Sequence, residues 1–157
     1  MLRERDLERW PGTVPEVRRD DDRFACVREF DGSPILMLRE PQLTTVIPLE
    51  LGGAMLVTAV FCDDDAALTA HLELVPVTGW EPLPERFHAA DERYVLFDGS
   101  LSASEIRDPA MRERIVTECG GVVSIALTPG DYDVETLGPW TPDDRTELWL
   151  TRLVRSM

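Results

Sequence analysis

Apolar residues recur at every second position in several short segments of this chain, and turn-forming residues separate those segments. In one such segment Phe24, Cys26 and Phe30 share one parity. A period of two is the period of a β-strand, whose successive side chains point to opposite faces. The pattern therefore predicts a fold built mainly on short strands joined by tight connections.

Three strand pairs are predicted as hairpins from these alternations and from the turn residues between them. They are Phe24–Phe30 with Pro34–Leu38 across Asp31-Gly32, Leu43–Leu51 with Ala54–Cys62 across Gly52-Gly53, and Val123–Leu127 with Tyr132–Val134 across Thr128–Asp131. Pro48 has no amide hydrogen, which places its strand at a sheet edge. Further strands are expected at Trp80–Phe87 and Arg93–Phe97, with His88 in a polar loop between them. Glu147–Val154 carries apolar residues on both parities, so we expect it to be an interior strand.

Two short helices interrupt the strands. Asp63–Asp65 can cap a helix whose apolar residues follow three-and-four spacing as far as Val75, where Pro76 ends it. Ser102 and Glu105 have the spacing of a capping box, and a helical stripe after Asp108-Pro109 runs to Cys119 and stops at Gly120. The predicted class is α+β with a mainly antiparallel sheet, which is compatible with a two-layer sandwich. Residues 1–22 are expected to form an exposed approach segment with room for a short helix, and residues 23–157 a single domain.

The charge composition excludes several functions. All 16 basic residues are arginine, set against 30 carboxylates, for a net charge of −14. Without lysine the chain lacks the ammonium group of a P-loop or a Schiff base. A strongly acidic chain repels phosphate backbones, so we expect no nucleic-acid partner. The same charge would attract a basic protein, although high charge also serves solubility alone.

The remaining composition predicts a cytoplasmic protein without membrane spans. Cys26, Cys62 and Cys119 are far apart and match neither a redox motif nor a zinc-ligand spacing. The first ten residues are too charged for a secretory signal, and no later apolar run reaches the length of a membrane span. We expect no cofactor, no metal site, and a monomer or homodimer.

No catalytic residue is assigned from the sequence. His71 and His88 are 17 positions apart and outside any HExxH pattern, so His71 is expected to be structural. The serines lack a GxSxG elbow, and the glycine pairs lack the series that binds a dinucleotide.

One segment concentrates carboxylates in strand register. Asp131, Asp133 and Glu135 alternate with Tyr132 and Val134, so the three acids are expected on one face. That face could bind a cationic protein, hold a divalent ion in a metal-dependent hydrolase, or be a plain solvated surface. A calcium loop is excluded, because the required glycine and glutamate positions hold Thr136 and Pro142.

A second group of candidate binding residues follows in the same region. Trp140 precedes Asp143 and Asp144, which lie after Pro142 in a segment where turn formation is the default expectation. An exposed Trp140 beside these acids would resemble a protein-binding hot spot with an acidic rim. The candidate partner-binding residues are therefore Asp131, Asp133, Glu135, Trp140, Asp143 and Asp144.

Several segments resemble a family of bacterial immunity proteins. They are DGSPILML at 31–38, LFDGSL at 96–101, IALTPGDYDVETL at 125–137 and TPDDRTELWLTRL at 141–153. Together they are similar to the immunity protein twenty-one family of polymorphic toxin systems; a strand, a proline-glycine turn and a tyrosine-bearing return strand also occur in the nuclease-inhibitor family of bacterial competence. The resemblance implies a small cytoplasmic protein that binds and blocks a cognate toxin, and it transfers no catalytic residue. A carboxylate-metal hydrolase and a structural subunit of a larger assembly stay open as alternatives.

Overall fold

The computed structural model describes residues 1–12, 24–38, 44–62, 65–91, 93–97, 101–108 and 122–156. Within these ranges the strands are β1 Leu2–Arg3, β2 Ala25–Phe30, β3 Ser33–Leu38, β4 Thr44–Pro48, β5 Ala54–Phe61, β6 Glu81–Pro82, β7 Phe87–Ala89, β8 Arg93–Leu96, β9 Val123–Ala126, β10 Gly130–Asp143 and β11 Thr146–Arg155. The helices are α1 Asp65–Leu72 and α2 Ala103–Arg107, with 3₁₀ turns at Glu4–Arg9 and Glu50–Gly52. The predicted α+β class with antiparallel sheets is confirmed. The helix predicted after Pro109 and the caps Asp63 and Asp64 lie outside the described residues.

The larger sheet has the strand order β4-β5-β11-β10-β6, and β7 also pairs with β10. Every one of these pairings is antiparallel. β11 lies between β5 and β10, which confirms the interior strand predicted at Glu147–Val154. β4 is the end strand of this order, as expected from Pro48.

A second layer packs against the first. It contains the sheet β1-β8-β9 and the hairpin β2-β3. Backbone hydrogen bonds join the two: Leu36 N–H donates to the Met1 carbonyl at 3.1 Å, and the Met1 amino group donates to the Leu36 carbonyl at 2.5 Å. The two layers share one apolar core, which includes Leu36, Leu56, Phe87, Tyr94, Ile125, Tyr132, Val134 and Leu153. The described residues therefore form a two-layer sandwich.

The connection Thr128–Asp131 crosses between the layers, and here the predicted hairpin is wrong. β9 pairs with β8 in one layer, whereas β10 pairs with β11 in the other. The Tyr132 hydroxyl lies 2.5 Å from the Thr128 carbonyl oxygen and 2.9 Å from that of Gly52. A tyrosine bonded to the backbone four residues upstream is the tyrosine corner of β-sandwiches. Alternation identified both strands correctly but carried no information on their partners.

The other two predicted hairpins form. Asp31 and Gly32 both have positive φ, of 50° and 72°, as a two-residue type I′ connection requires. The β4–β5 connection contains the Glu50–Gly52 turn and then Gly53, where a Cβ atom would lie 2.3 Å from the Leu153 carbonyl oxygen. Gly53 is therefore needed so that the connection can lie close to β11.

The first twelve residues differ from the predicted exposed approach segment. Leu2, Leu7 and Trp10 are buried, β1 pairs with β8, and the expected helix is a 3₁₀ turn. Their apolar side chains pack with Ile35, Val95 and Ile106. The charged residues between them can keep their head groups in water, so they do not prevent this packing. The placement of a domain boundary at residue 22 stays a prediction.

Both described helices begin near their predicted starts. Ser102 caps α2: its Oγ accepts from the Glu105 N–H at 3.4 Å, and the Glu105 carboxylate accepts from the Ser102 N–H at 2.7 Å. α1 ends at Leu72, before the predicted stop at Pro76. Its Leu68 and Leu72 cover an apolar cluster on the outer face of β5 and β11.

The strand predicted over Trp80–Phe87 is divided in the structure. Only Glu81–Pro82 and Phe87–Ala89 have strand geometry. His88 lies within β7 and not in the predicted loop, because β7 adds to the edge of β10. This difference matters for the acidic face of β10.

Candidate functional site

The outward face of β10 carries the predicted row of carboxylates. Asp131, Asp133 and Glu135 point away from the sandwich, whereas Tyr132 and Val134 are buried in its core. The strand and its alternation are as the sequence predicted. We refer to Asp131, Asp133 and Glu135 as the acidic row.

Each member of the acidic row has a basic partner. His88 Nδ1 lies 2.7 Å from Asp131 Oδ1, and Arg86 Nε lies 2.9 Å from Asp133 Oδ1. Arg152 Nε donates to Glu135 Oε2 at 2.5 Å. These pairs could not be predicted from the sequence, because the partners are between 17 and 47 positions away. Knowledge of which strands pair would have been needed to find them.

The three pairs differ in exposure. The Arg86 and His88 side chains are 66% and 63% exposed, whereas that of Arg152 is 29% exposed. An exposed ion pair contributes about 0 to 1 kcal/mol, because water screens it and both side chains lose rotamer freedom. The first two pairs are therefore weak enough to exchange partners.

Arg152 is held more firmly than Arg86 and His88. Its guanidinium lies over the Trp80 ring, 4.1 Å from the ring centroid, in a cation–π contact. Trp80 Nε1 in turn donates to the Pro76 carbonyl at 2.8 Å. The Trp80–Arg152–Glu135 stack thus joins the loop after α1 to one end of the acidic row.

Trp140 does not serve as an exposed anchor in this structure. Its ring is half-buried and packs on the outer apolar cluster with Val57, Leu148 and Leu150. On β11, Arg155 faces Tyr132 and Thr146 faces Asp143, and nine residue steps of about 3.3 Å put the two ends of β10 about 30 Å apart. The six predicted binding residues therefore form two separate groups, not one site.

Asp143 caps the β10–β11 turn. Its Oδ1 accepts the Arg145 backbone N–H at 2.9 Å, and its Oδ2 lies 3.0 Å from His71 Nε2. The Arg145 N–H, together with hydrogen bonds from Thr146 and His71, holds the pKa of Asp143 below its ordinary value. Asp144 is exposed at the tip of the turn. The default expectation of turn formation agrees with this geometry.

His71 links α1 to the same turn. Its Nε2 lies 3.4 Å from the Thr146 hydroxyl, and that hydroxyl lies 4.0 Å from Cys62 Sγ. Thr146 is buried, so this contact fixes the end of α1 against the hairpin.

The three carboxylates of the acidic row do not converge on a common point, because each one pairs with a different basic side chain. A divalent ion needs several oxygens at once. Within the described ranges there is no group of three or more histidine, cysteine or carboxylate side chains arranged to hold a metal ion.

Comparisons with family models, with curated proteins and with solved structures gave no match to this chain. Among the described residues, none of the helices combines the length and the apolar character that a membrane span requires.

Proposed function

We propose that this protein is a non-catalytic inhibitory binding protein of the immunity type, which neutralises a cognate basic toxin in the cytoplasm of its own cell. The observation that carries the proposal is the acidic row on the outer face of β10. A rigid strand presents its acids at alternate positions, roughly 7 Å apart. Such a row matches a partner surface with similarly spaced arginine or lysine side chains.

Two of the three intramolecular partners of the row, Arg86 and His88, support this function because they are exchangeable. Arg86 and His88 extend mostly into solvent, so a partner's guanidinium can replace them on Asp131 and Asp133 at little cost. In a drier interface a bidentate arginine–carboxylate pair is stronger than an exposed one. Before binding, the Arg86 guanidinium lowers the self-repulsion of the row.

The overall charge supports rapid association with a basic partner. The difference between 30 carboxylates and 16 arginines leaves at least 14 acids without an arginine of their own. A field of this sign steers a basic protein toward the surface and raises the association rate more than the final affinity. The resemblance of four segments to immunity proteins is consistent with this partner class.

Co-expression with the products of the adjacent genes tests the proposal. We expect one of these products to be toxic alone, to be tolerated with this chain, and to co-purify with it. The triple variant Asp131→Asn, Asp133→Asn, Glu135→Gln should bind at least tenfold more weakly, and its association rate should depend less on salt.

The control variant Glu8→Gln, Glu29→Gln, Glu50→Gln removes the same charge from exposed positions outside the row and outside residues 73–80. It should lower the association rate slightly and leave protection intact. Equal loss in the two triple variants would show that the row is not the binding face. A turnover activity abolished by neutralising the row would contradict the non-catalytic function altogether.

A further inference from the structure

The loop between α1 and β6, residues 73–80, presents apolar side chains to solvent. Leu74 is 69% exposed and Val77 is 88% exposed. Side chains stabilise a fold in proportion to the apolar area that they remove from water, so these two contribute little to folding. Their position calls for an explanation other than core packing.

The loop is held in place despite its exposure. The Leu74 N–H donates to the His71 carbonyl at 2.8 Å, and at the other end of the loop Trp80 Nε1 donates to the Pro76 carbonyl. Val75 and Trp80 pack on the outer apolar cluster of the sheet. A loop that is already ordered loses less conformational entropy when a partner binds it.

The same loop adjoins the acidic row. Trp80 lies beneath the Arg152 guanidinium, which is bonded to Glu135. Val77 is three residues before Trp80, and three residues span at most about 10 Å of chain. The loop that carries the exposed apolar side chains therefore adjoins the Glu135 end of the acidic row.

We propose that residues 73–80 are the apolar anchor of a docking surface, and that its occupant is a basic protein segment carrying arginine or lysine beside apolar side chains. Charge decides between occupants: a second copy would bring another net charge of −14, and an anionic bilayer would also be repelled. The inference rests on the proposed function for the existence of a partner and adds the partner's surface chemistry.

Two labelled hexapeptides of equal charge test the surface by fluorescence anisotropy at low ionic strength. One alternates arginine with leucine and the other alternates arginine with serine. We expect the leucine peptide to bind about tenfold more tightly, as burial of one or two aliphatic side chains allows. Leu74→Ser with Val77→Ser should abolish this difference without weakening the serine peptide, whereas the triple variant of the acidic row should weaken both.

Leu51→Ser is the matched control, because Leu51 is equally exposed but lies on the β4–β5 turn. It should leave both peptides unaffected. Equal affinity for the two peptides, or an unchanged difference in the loop variant, would overturn the docking surface. A dimer that the loop variant dissociates in sedimentation would overturn the choice of occupant. If neither adjacent gene product binds but the peptide difference is present, the immunity-type function fails and the docking surface stands.

Discussion

Two regions of the molecule that pair carboxylates with basic side chains differ in exposure. Asp6 is only 3% exposed; it accepts from Arg3 Nε at 2.5 Å and from Arg9 at 2.6 Å. Arg3 also donates to Ser33, and Arg9 pairs with Asp31, so the network ties the first turn to the β2–β3 hairpin. The acidic row on β10 has similar pairs, but the Arg86 and His88 side chains extend into water. The same chemistry is thus structural in one region and available for binding in the other.

The two regions differ because water can replace a lost basic partner only where the carboxylate is exposed. Water can solvate Asp131 or Asp133 after its basic partner moves away, so the free energy of unfolding changes little. Water reaches little of Asp6, and removing its carboxylate would leave the largely buried Arg3 guanidinium without its anionic acceptor. The difference between the two regions is therefore measurable as a graded series of destabilisations.

The largest effect is expected at Asp6. Asp6→Asn should lower the free energy of unfolding at neutral pH by about 3 kcal/mol, because Arg3 and Arg9 lose a buried anionic acceptor. Denaturant melts monitored by tryptophan fluorescence measure this value. A change below about 0.5 kcal/mol, the range of a surface pair, would remove the contrast between the two regions.

The destabilisation at Asp6 should also depend on pH. Burial by itself raises the pKa of Asp6, but hydrogen bonds from Arg9, Arg3 and Ser33 outweigh it and lower the pKa below its ordinary value. The native state therefore binds fewer protons than the unfolded state, and the contribution of Asp6 is complete above the unfolded pKa of about 3.9. It is lost as the pH falls through the lower native value. The gap between the wild type and Asp6→Asn should narrow below about pH 4 and stay constant from pH 5 to 7.

A smaller effect is expected at the crossing between the layers. Tyr132→Phe should cost about 1 to 2 kcal/mol, because the carbonyl oxygens of Thr128 and Gly52 lose the hydroxyl that they share. The ring itself is conserved in size, so the slope of the denaturation curve should not change. An unchanged midpoint would show that the corner orders the chain without stabilising it.

Arg152 should be intermediate between the buried and the exposed pairs. Arg152→Gln removes both the bond to Glu135 and the cation–π contact with Trp80, so we expect a loss of about 1 kcal/mol. In a double-mutant cycle, Arg152→Gln should cost much less free energy of unfolding in the Trp80→Leu background than in the wild type. Additive effects of the two substitutions would show that the stack is not a coupled unit.

The smallest effects are expected at the exposed pairs. Asp131→Asn and Arg86→Gln should each change the free energy of unfolding by less than about 0.5 kcal/mol. Thermal melts at low and high salt measure this directly. A loss comparable to that of Asp6→Asn would mean that Arg86 and His88 are not exchangeable, which would remove the main support for partner exchange at the acidic row.

Much of the strand content was predictable because local alternation carries it. The turn at Asp31-Gly32, the edge position of Pro48 and the capping box at Ser102 all depend on residues within a few positions of each other. The pairing of β9 was not predictable from LTPGDY, since the same proline-glycine turn serves a hairpin and a corner between layers. Burial between the layers, and not the local sequence pattern, decides that this turn is a corner and not a hairpin.

The candidate site likewise has a part that local sequence predicts and a part that it does not. The common face of Asp131, Asp133 and Glu135 follows from strand periodicity, and the structure places them so. Their partners, and the packing of Trp140, depend on strands that meet across the sheet from distant parts of the chain. Exposure of a side chain is a property of the packed layers and is not encoded by its immediate neighbours.

Composition and periodicity were sufficient to establish a strongly acidic, strand-rich α+β chain with one acidic strand face. The assembly of the sandwich settled which layer each strand joins, which carboxylates acquire basic partners, and that Leu2, Leu7 and Trp10 belong to the core. The physical reason is range: strand formation and capping are local interactions, whereas burial and ion pairing between strands depend on contacts that exist only once both layers have packed.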